Sequence, residues 1–211
     1  MKKRVIIVGA GGLARMIFSW LPAFLEGEEW DWEFAGFLDD NLKNFENGSY
    51  DKPILSTIKD YMPQELDVLI MGIANPTTKL SISKELEQRG ASFMTLIHPK
   101  AMIGRNVNIG RGCVVSPGAV LTCDIEMSHF VFVNLYTTIG HDAKIGEGCT
   151  LNAHSDVTGY TELGKGVFLG SHSVVTPGMK VRDFAKIGAG SVVVREVKSE
   201  TTVFGIPAKR L

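Results

Sequence analysis

Aliphatic residues recur at every sixth position through the second half of the chain. The series starts at Ile97 and runs without interruption to Val193. A second small or apolar residue follows each of them four positions later, from Ala101 to Val197. Neither an α-helix nor an alternating hairpin strand has a strict period of six. The pattern therefore predicts a parallel β-helix of short strands, with three hexapeptides in each coil.

The first ninety residues follow a different pattern, in which short apolar runs alternate with helical ones. We predict strands over 4–8, 33–38 and 67–73, and helices over 13–25 and 77–89. Strands and helices that alternate at these lengths are typical of a small parallel α/β sheet. The sequence thus predicts a Rossmann-like domain over residues 1–90 and a β-helix over residues 91–211, connected by residues 90–96.

Composition narrows the class of partner and the compartment. The 211 residues carry a net charge of −1, so there is no basic surface for nucleic acid. We expect no membrane insertion and a cytoplasmic protein, because no apolar run reaches spanning length and no signal peptide is recognised. Cys113 and Cys149 fall at inward repeat positions and are interpreted as small core residues, which leaves no disulfide framework.

A glycine-rich turn follows the first predicted strand. Gly9-x-Gly11-x-x-Ala14 matches the dinucleotide fingerprint, in which glycine lets the backbone turn tightly and approach a pyrophosphate. Asp39 and Asp40 close the next strand and can accept hydrogen bonds from ribose hydroxyls. The glycines alone also fit a turn without a ligand, but the acidic pair favours a nucleotide. The domain is too short for a complete NAD-binding domain, so we expect a nucleotide attached to another group.

The positions that stack on adjacent coils can be counted from the sequence, and this stacking arithmetic singles out one histidine of the repeat. Residues eighteen apart lie about 4.8 Å from each other on adjacent coils. His141 occupies an outward turn position next to Gly159, which leaves a slot against the imidazole. Asp142 follows it and stacks on Asp124, so like-charge repulsion is expected to raise the pKa of one carboxylate. A carboxylate that orients the ring makes His141 a candidate general base; the alternative is a surface histidine without a role.

The other repeat histidines favour a structural role. His154 and His172 are eighteen apart and should form a column with Tyr136 at one corner, which we interpret as structural or interfacial. Trimeric β-helices can hold zinc between subunits through histidines, as in the γ-class carbonic anhydrases. The two closely spaced histidines of that site are missing here, so no metal is expected.

Several motifs together resemble one family. The hexapeptides, the Val8–Gly12 turn, the Phe37–Asp40 run, the spacing of Asn134 from His141-Asp142 and the Gly205–Lys209 tail are similar to the sialic acid O-acetyltransferase-like family. Its members include bacterial nucleotide-sugar N-acetyltransferases of the bacillosamine and perosamine type. The resemblance covers essentially the whole chain and implies a left-handed β-helix.

The resemblance also implies substrates, assembly and site residues. It implies acetyl transfer from acetyl-CoA to the 4-amino group of a nucleotide-linked amino sugar, with UDP favoured and GDP possible, in a homotrimer whose active sites lie between subunits. His141 would be the base and Asp142 its support. The positions implied for the nucleotide sugar are Gly11, Gly12, Leu13, Asp39, Asp40, Ala74, Asn75, Thr77 and Asn134. Those implied for acetyl-CoA are Thr150, Gly159, Ser171 and Ala189; at Thr150 some members have a histidine that touches the acetyl group, so this chain departs from them there.

The chemistry of acyl transfer assigns roles to these groups. An alkylammonium must lose a proton before it attacks a thioester, and His141 is placed to take it. Backbone amides near Gly159 could stabilise the oxyanion. Cys123 stacks on His141, but direct transfer is favoured over an acyl-enzyme.

The sequence leaves two other functions open and also predicts an apolar surface. The same His-Asp pair could serve O-acetylation of sialic acid or a related hydroxyl, and a non-catalytic nucleotide-binding scaffold is the alternative of another class. The outward residues Phe130, Phe132 and Phe168 predict an apolar surface that would be covered in a trimer.

Overall fold

The N-terminal domain is a parallel sheet flanked by helices. The computed structural model describes residues 2–25, 32–43 and 50–211. Within them the sheet has the order β3-β2-β1-β4-β5 and every neighbouring pair is parallel. Its elements are β1 Lys3–Val8, α1 Gly12–Leu25, β2 Trp32–Leu38, β3 Ile54–Ser56, β4 Asp67–Met71, α2 Pro76–Gln88 and β5 Ser92–Phe93.

The three predicted strands and both helices are confirmed to within two residues at each end. Strands β3 and β5 were not predicted, because runs of three and two residues are too short to show a period. Strand β5 lies inside the segment 90–96 that was expected to connect the domains. Neither described helix is long and apolar enough to cross a bilayer.

The strand order determines where ligand-binding loops can meet. The connections from β1 lead to α1 and those from β4 lead to α2, and β1 and β4 are adjacent. In an open parallel sheet the crevice outside the carboxyl ends of such strands is where ligands bind. Here the segments at that edge are 9–12, 39–40 and 72–75.

The second domain is a parallel β-helix with three faces, as predicted. Face 1 consists of β6 Leu96–Ile97, β9 Val114–Val115, β12 Phe132–Val133, β15 Thr150–Leu151, β18 Phe168–Leu169, β21 Lys186–Ile187, β23 Thr202–Phe204 and β24 Lys209–Arg210. Face 2 consists of β7 Met102–Ile103, β10 Val120–Leu121, β13 Thr138–Ile139, β16 Asp156–Val157, β19 Val174–Val175 and β22 Val192–Val193. Face 3 consists of β8 Val107–Ile109, β11 Ile125–Met127, β14 Lys144–Ile145, β17 Glu162–Leu163 and β20 Lys180–Val181.

The register of the coils confirms the stacking arithmetic. Ile139 pairs with Leu121 on one side and Val157 on the other, so each step is eighteen residues. The hexapeptide aliphatics from Val115 to Val193 form one buried core. Ile97 and Ile103, in contrast, are 36% and 37% exposed, because they belong to the first coil and no further coil covers them. The prediction of inward burial is therefore wrong for this end of the series.

Face 1 carries the N-terminal domain. Phe132 and Val114 join the same buried cluster as Ile17 of α1. Phe130 packs edge-on against Phe93 with a ring-centroid distance of 5.1 Å. The prediction that Phe130 and Phe132 form an exposed surface for other subunits is wrong, because the chain's own first domain buries both. The hexapeptide pattern shows that a residue points outward but not what covers it.

One charged side chain is buried between the domains. Lys79 of α2 is 1% exposed, and its Nζ donates to the Cys149 carbonyl and to Thr150 Oγ1, each at 3.0 Å. Burial lowers the pKa of Lys79 to about 7, since the interface solvates an ammonium group poorly. Burial raises the pKa of the Cys113 and Cys149 thiols to about 11 and about 12, so both predicted core cysteines remain neutral thiols.

The depressed pKa of Lys79 predicts a pH-dependent stability. In the unfolded chain the pKa of Lys79 has its ordinary value of 10.5. Between about pH 7 and pH 10.5 the unfolded chain therefore binds a proton at Lys79 that the folded chain does not, so the free energy of unfolding rises with pH in this window. From pH 7 to 8.5 the gain should be about 1–2 kcal/mol in the free energy of unfolding. Urea titrations should show this rise in the wild type and in Lys84→Met, an exposed lysine on the same helix, but not in Lys79→Met. Equal slopes in all three proteins would contradict it.

Candidate active site

A cleft lies at the carboxyl edge of the N-terminal sheet. Its volume is about 370 Å³. Ile58, Thr78 and Ile82 line it and were not anticipated, since they come from loop and helix positions without a motif. The predicted residues that line it are Gly11, Gly12, Leu13, Asp39, Asp40 and Ala74.

The acidic pair shapes this cleft through backbone contacts. Asp39 accepts hydrogen bonds from the amides of Ala10 at 2.7 Å and Asn41 at 2.9 Å. Asp40 accepts one from the amide of Ile58 at 2.9 Å. Asp39 therefore fixes the glycine turn against the end of β2. An added Cβ at Gly12 would meet nothing within 4 Å, so the first turn of α1 is open to a ligand.

Three predicted nucleotide positions lie outside the cleft, namely Asn75, Thr77 and Asn134. Asn75 caps α2, accepting a hydrogen bond from the Thr78 amide at 3.0 Å. Asn75 and Thr77 line a separate cavity of about 390 Å³ together with Phe184 and Lys186 of the β-helix. The loop that follows Asp40 also lies close in sequence to the cleft, and its residues 44–49 are outside the described residues.

The corner between faces 2 and 3 presents His141. The ring follows β13 and precedes β14, and its Nδ1 lies 2.8 Å from Asp142 Oδ2. Asp142 adopts a φ of 59°, in the left-handed region that Asp tolerates better than most residues. This turn aims its carboxylate back at the ring. A donating Nδ1–H leaves Nε2 as the proton acceptor.

The missing side chain of Gly159 leaves room for the His141 ring, as the predicted slot requires. A Cβ added at Gly159 would lie 2.8 Å from both Cε1 and Nε2 of the imidazole. Tyr160 packs its ring edge-on at 5.0 Å and was missed, although it lies eighteen residues after Asp142. The stacking arithmetic could have identified it.

The charges around this corner are mostly acidic. Asp124, Glu126, Asp142 and Glu162 line a groove of about 390 Å³ together with Lys144 and Tyr160. The pKa of Asp124 is lowered, chiefly because Asn106 donates a hydrogen bond to its carboxylate. The upward pKa shift that like-charge repulsion was expected to give one carboxylate of the Asp124–Asp142 pair is therefore not found at Asp124. The pKa of Cys123 is raised by its hydrogen bond to Asp124, which disfavours the thiolate that an acyl-enzyme would need.

The remaining predicted positions are dispersed over the β-helix. Asn134, Ser171 and Ala189 lie together at the corner between faces 1 and 2, away from His141. Thr150 is completely buried under the N-terminal domain, so its side chain has no surface for contacting acetyl-CoA. The sequence showed Thr150 as an outward position and could not show that the first domain covers it.

The histidine column is confirmed as a stack. The rings of His154 and His172 are 4.7 Å apart and nearly parallel, and Tyr136 stacks on His154 at 5.3 Å. Among the described residues, no group of three or more His, Cys, Asp or Glu side chains could hold a metal ion.

Filling the slot should impair the histidine. In Gly159→Ala the new methyl group would push the ring away from Asp142, and we expect kcat for acetyl transfer to fall about tenfold to hundredfold. The melting temperature should stay within about two degrees, because the position lies on a partly exposed corner and its φ is not in the left-handed region. A kcat within twofold of wild type would show that the slot is not used.

Comparison with known domains finds a match for the N-terminal part of the chain. Residues 4–86 match the model of the PglD N-terminal domain. The first domain is therefore similar to the PglD N-terminal domain. The chain that follows this PglD-type domain matches the hexapeptide repeat of succinyl-transferase over residues 160–195, in agreement with a left-handed β-helix.

Curated relatives match over part of their length. GDP-perosamine N-acetyltransferase of Escherichia coli O157:H7 is 27% identical over 64% of this chain and 53% of its own length. UDP-N-acetylbacillosamine N-acetyltransferase of Bacillus subtilis is 31% identical over 54% and 51%. Serine acetyltransferase of Buchnera aphidicola is 35% identical over 63% and 44%. The chain thus spans about half the length of the curated relatives it matches.

Solved structures match along the whole chain. PerB from Caulobacter crescentus, in complex with CoA and GDP-perosamine, superposes with a TM-score of 0.86 at 25% identity and covers 98% of this chain and 96% of its own. The acetyltransferase domain of PglB from Neisseria gonorrhoeae, in complex with acetyl coenzyme A, superposes with 0.87 at 25% identity and covers 100% of both chains. The predicted resemblance to perosamine and bacillosamine N-acetyltransferases is confirmed.

Proposed function

We propose that the protein transfers the acetyl group of acetyl-CoA to the 4-amino group of a nucleotide-linked amino sugar. The observation that carries this is the His141 ring, fixed through Nδ1 by Asp142 and open at Nε2 next to the Gly159 slot. The relatives named for perosamine and bacillosamine derivatives and the neighbours bound to CoA or acetyl-CoA support the same chemistry.

The reaction needs one proton acceptor and no covalent intermediate. The amine nitrogen attacks the thioester carbonyl, the C–N bond forms, and the amine proton passes to Nε2 of His141. The C–S bond then breaks, and the imidazolium returns the proton to the departing CoA thiolate. Asp142 stabilises the imidazolium, and the Gly159 backbone amide is proposed as an oxyanion donor.

The charge of the groove favours an amine acceptor. Four carboxylates and one lysine line it, so a protonated amine is attracted there and the carboxylate of a sialic acid is repelled. O-acetylation remains the second candidate, because serine acetyltransferases are among the relatives and serine carries a hydroxyl group. A scaffold without catalysis is the third.

The cleft of the first domain is proposed as the nucleotide site. Gly11 precedes α1 and Gly12 begins it, and the amides at this helix N-terminus can bind a diphosphate. Asp39 and Asp40 line the same cleft, where they are proposed to accept hydrogen bonds from the ribose hydroxyls. UDP is proposed as the nucleotide, with GDP as the second candidate.

We further propose that each active site is built from two subunits. In one chain the first domain covers face 1, while His141 lies on the corner between faces 2 and 3, which is the edge farthest from face 1. A nucleotide sugar held at the cleft therefore needs the histidine of another copy. Repeating such a head-to-tail contact closes a ring, which we propose to be a trimer.

Thiol release from acetyl-CoA tests the proposal. The panel is a UDP-linked 4-amino sugar, a GDP-linked 4-amino sugar, free sialic acid and a blank without acceptor. We expect release with one amino-sugar nucleotide and one acetamide formed per thiol released. Release only with sialic acid would favour O-acetylation, and no release with any acceptor, with nucleotide still bound, would favour the scaffold.

A further inference from the structure

The turn between β4 and α2 forms one wall of the nucleotide cleft. Gly72, Ile73 and Ala74 all line it. The turn is closely packed at its start, since a Cβ on Gly72 would come within 2.7 Å of the Val8 carbonyl oxygen. The position of Ala74 therefore contributes to the shape of the cleft.

A side chain of the β-helix forms a hydrogen bond with the backbone of this turn. Thr150 Oγ1 lies 2.5 Å from the Ala74 carbonyl oxygen, and Lys79 Nζ lies 3.0 Å from the same hydroxyl. A carbonyl can only accept, and a hydroxyl has one hydrogen. Thr150 therefore donates to Ala74, and Lys79 donates to Thr150. Lys79 is itself anchored by donating to the Cys149 carbonyl.

We propose that Thr150 and Lys79 are positioning residues for the nucleotide sugar, which hold the Ala74 turn in the shape that the cleft needs. Both are buried, so neither touches the ligand and both act through Ala74. The proposal rests on the proposed function, because the cleft is taken as the nucleotide site. It gives Thr150 a role in nucleotide binding instead of the acetyl-CoA contact that the family resemblance implied.

Direct binding tests the proposal without relying on turnover. Calorimetry measures the Kd of UDP, GDP and acetyl-CoA for the full chain and for Thr150→Val, which keeps the shape of the side chain and loses the donor. We expect the Kd of the nucleotide that binds wild type to rise about fivefold to tenfold, as for the loss of one neutral hydrogen bond. The Kd of acetyl-CoA should stay within twofold, and Thr150→Ser should restore nucleotide binding.

Thr137→Val is the matched control. Thr137 is also completely buried in the β-helix, and its hydroxyl bonds the Asn152 carbonyl at 3.0 Å, away from the first domain. Nucleotide affinity should not change in this variant. A second variant, Lys79→Met, removes the group that orients Thr150 and should weaken nucleotide binding about twofold to threefold even if Thr150→Val folds poorly.

The outcomes separate this proposal from the proposed function. Unchanged nucleotide binding in Thr150→Val and Lys79→Met would overturn the positioning role and leave the function standing. Equal losses in Thr150→Val and Thr137→Val, for nucleotide and acetyl-CoA alike, would also overturn it, because they indicate a general loss of structure. If wild type bound neither UDP nor GDP, both proposals would fall.

Discussion

Replacing His141 with alanine is expected to lower kcat for acetyl transfer about a thousandfold. The reason is that Nε2 of His141 is the group proposed to accept the proton of the attacking amine. General base catalysis contributes about 10²–10⁴ to a rate. The affinities for nucleotide and acetyl-CoA should change little, because the ring takes part in proton transfer. Steady-state kinetics with the acceptor found in the panel gives kcat, and calorimetry gives the two affinities.

His129→Ala is the matched control for this experiment. His129 also occupies a corner of the β-helix, between faces 3 and 1, and its Nδ1 accepts a hydrogen bond from the Arg111 amide at 3.1 Å. We expect kcat within twofold of wild type for this variant. A His141→Ala protein that keeps the wild-type rate, or a His129→Ala protein that loses it, would show that the catalytic corner is assigned wrongly.

Mixed oligomers should recover activity from two inactive variants. One variant is His141→Ala, which keeps its nucleotide cleft. The other is Gly12→Asp, whose carboxylate occupies open space at the start of α1 and repels a diphosphate there. A Cβ added at Gly12 meets no atom within 4 Å, and an acidic residue in the first turn favours the helix, so the fold should be kept.

The expected recovery follows from counting subunit pairs. In a randomly mixed ring, a site works only when an intact cleft meets an intact His141 on the next subunit, which occurs in about one quarter of the pairs. Purification of the co-expressed variants through two different tags removes the rings that contain only one variant. In each remaining trimer one of the three pairs is productive, so the sample should show about one third of the wild-type rate. A rate no higher than that of either variant alone would mean that each site lies within one chain. Gly12→Ala, which adds no charge, serves as the control for the cleft variant.

The sequence predicted the β-helix residue by residue because its rule is local. A period of six with three hexapeptides per coil determines which residues stack, and the observed pairing of Ile139 with Leu121 and Val157 follows it. The same arithmetic placed His141 next to Gly159 and Tyr136 next to His154, as observed. Tyr160 was within reach of the same reasoning. The short strands β3 and β5 were not, because two or three residues show no period.

The sequence by itself determined the two domain types, the glycine turn with its acidic pair and the His141-Asp142 corner, because each depends on residues that are close in sequence or one coil apart. Only the tertiary structure decided what lies against the outward positions. It buried Phe130, Phe132 and Thr150 under the first domain and brought Lys79 to Thr150 across seventy-one residues of chain. It also packed the first domain against face 1, whereas His141 lies at the corner between faces 2 and 3. Periodicity determines which way a side chain points, whereas its partner depends on how two separately folded surfaces pack, and no local pattern encodes that.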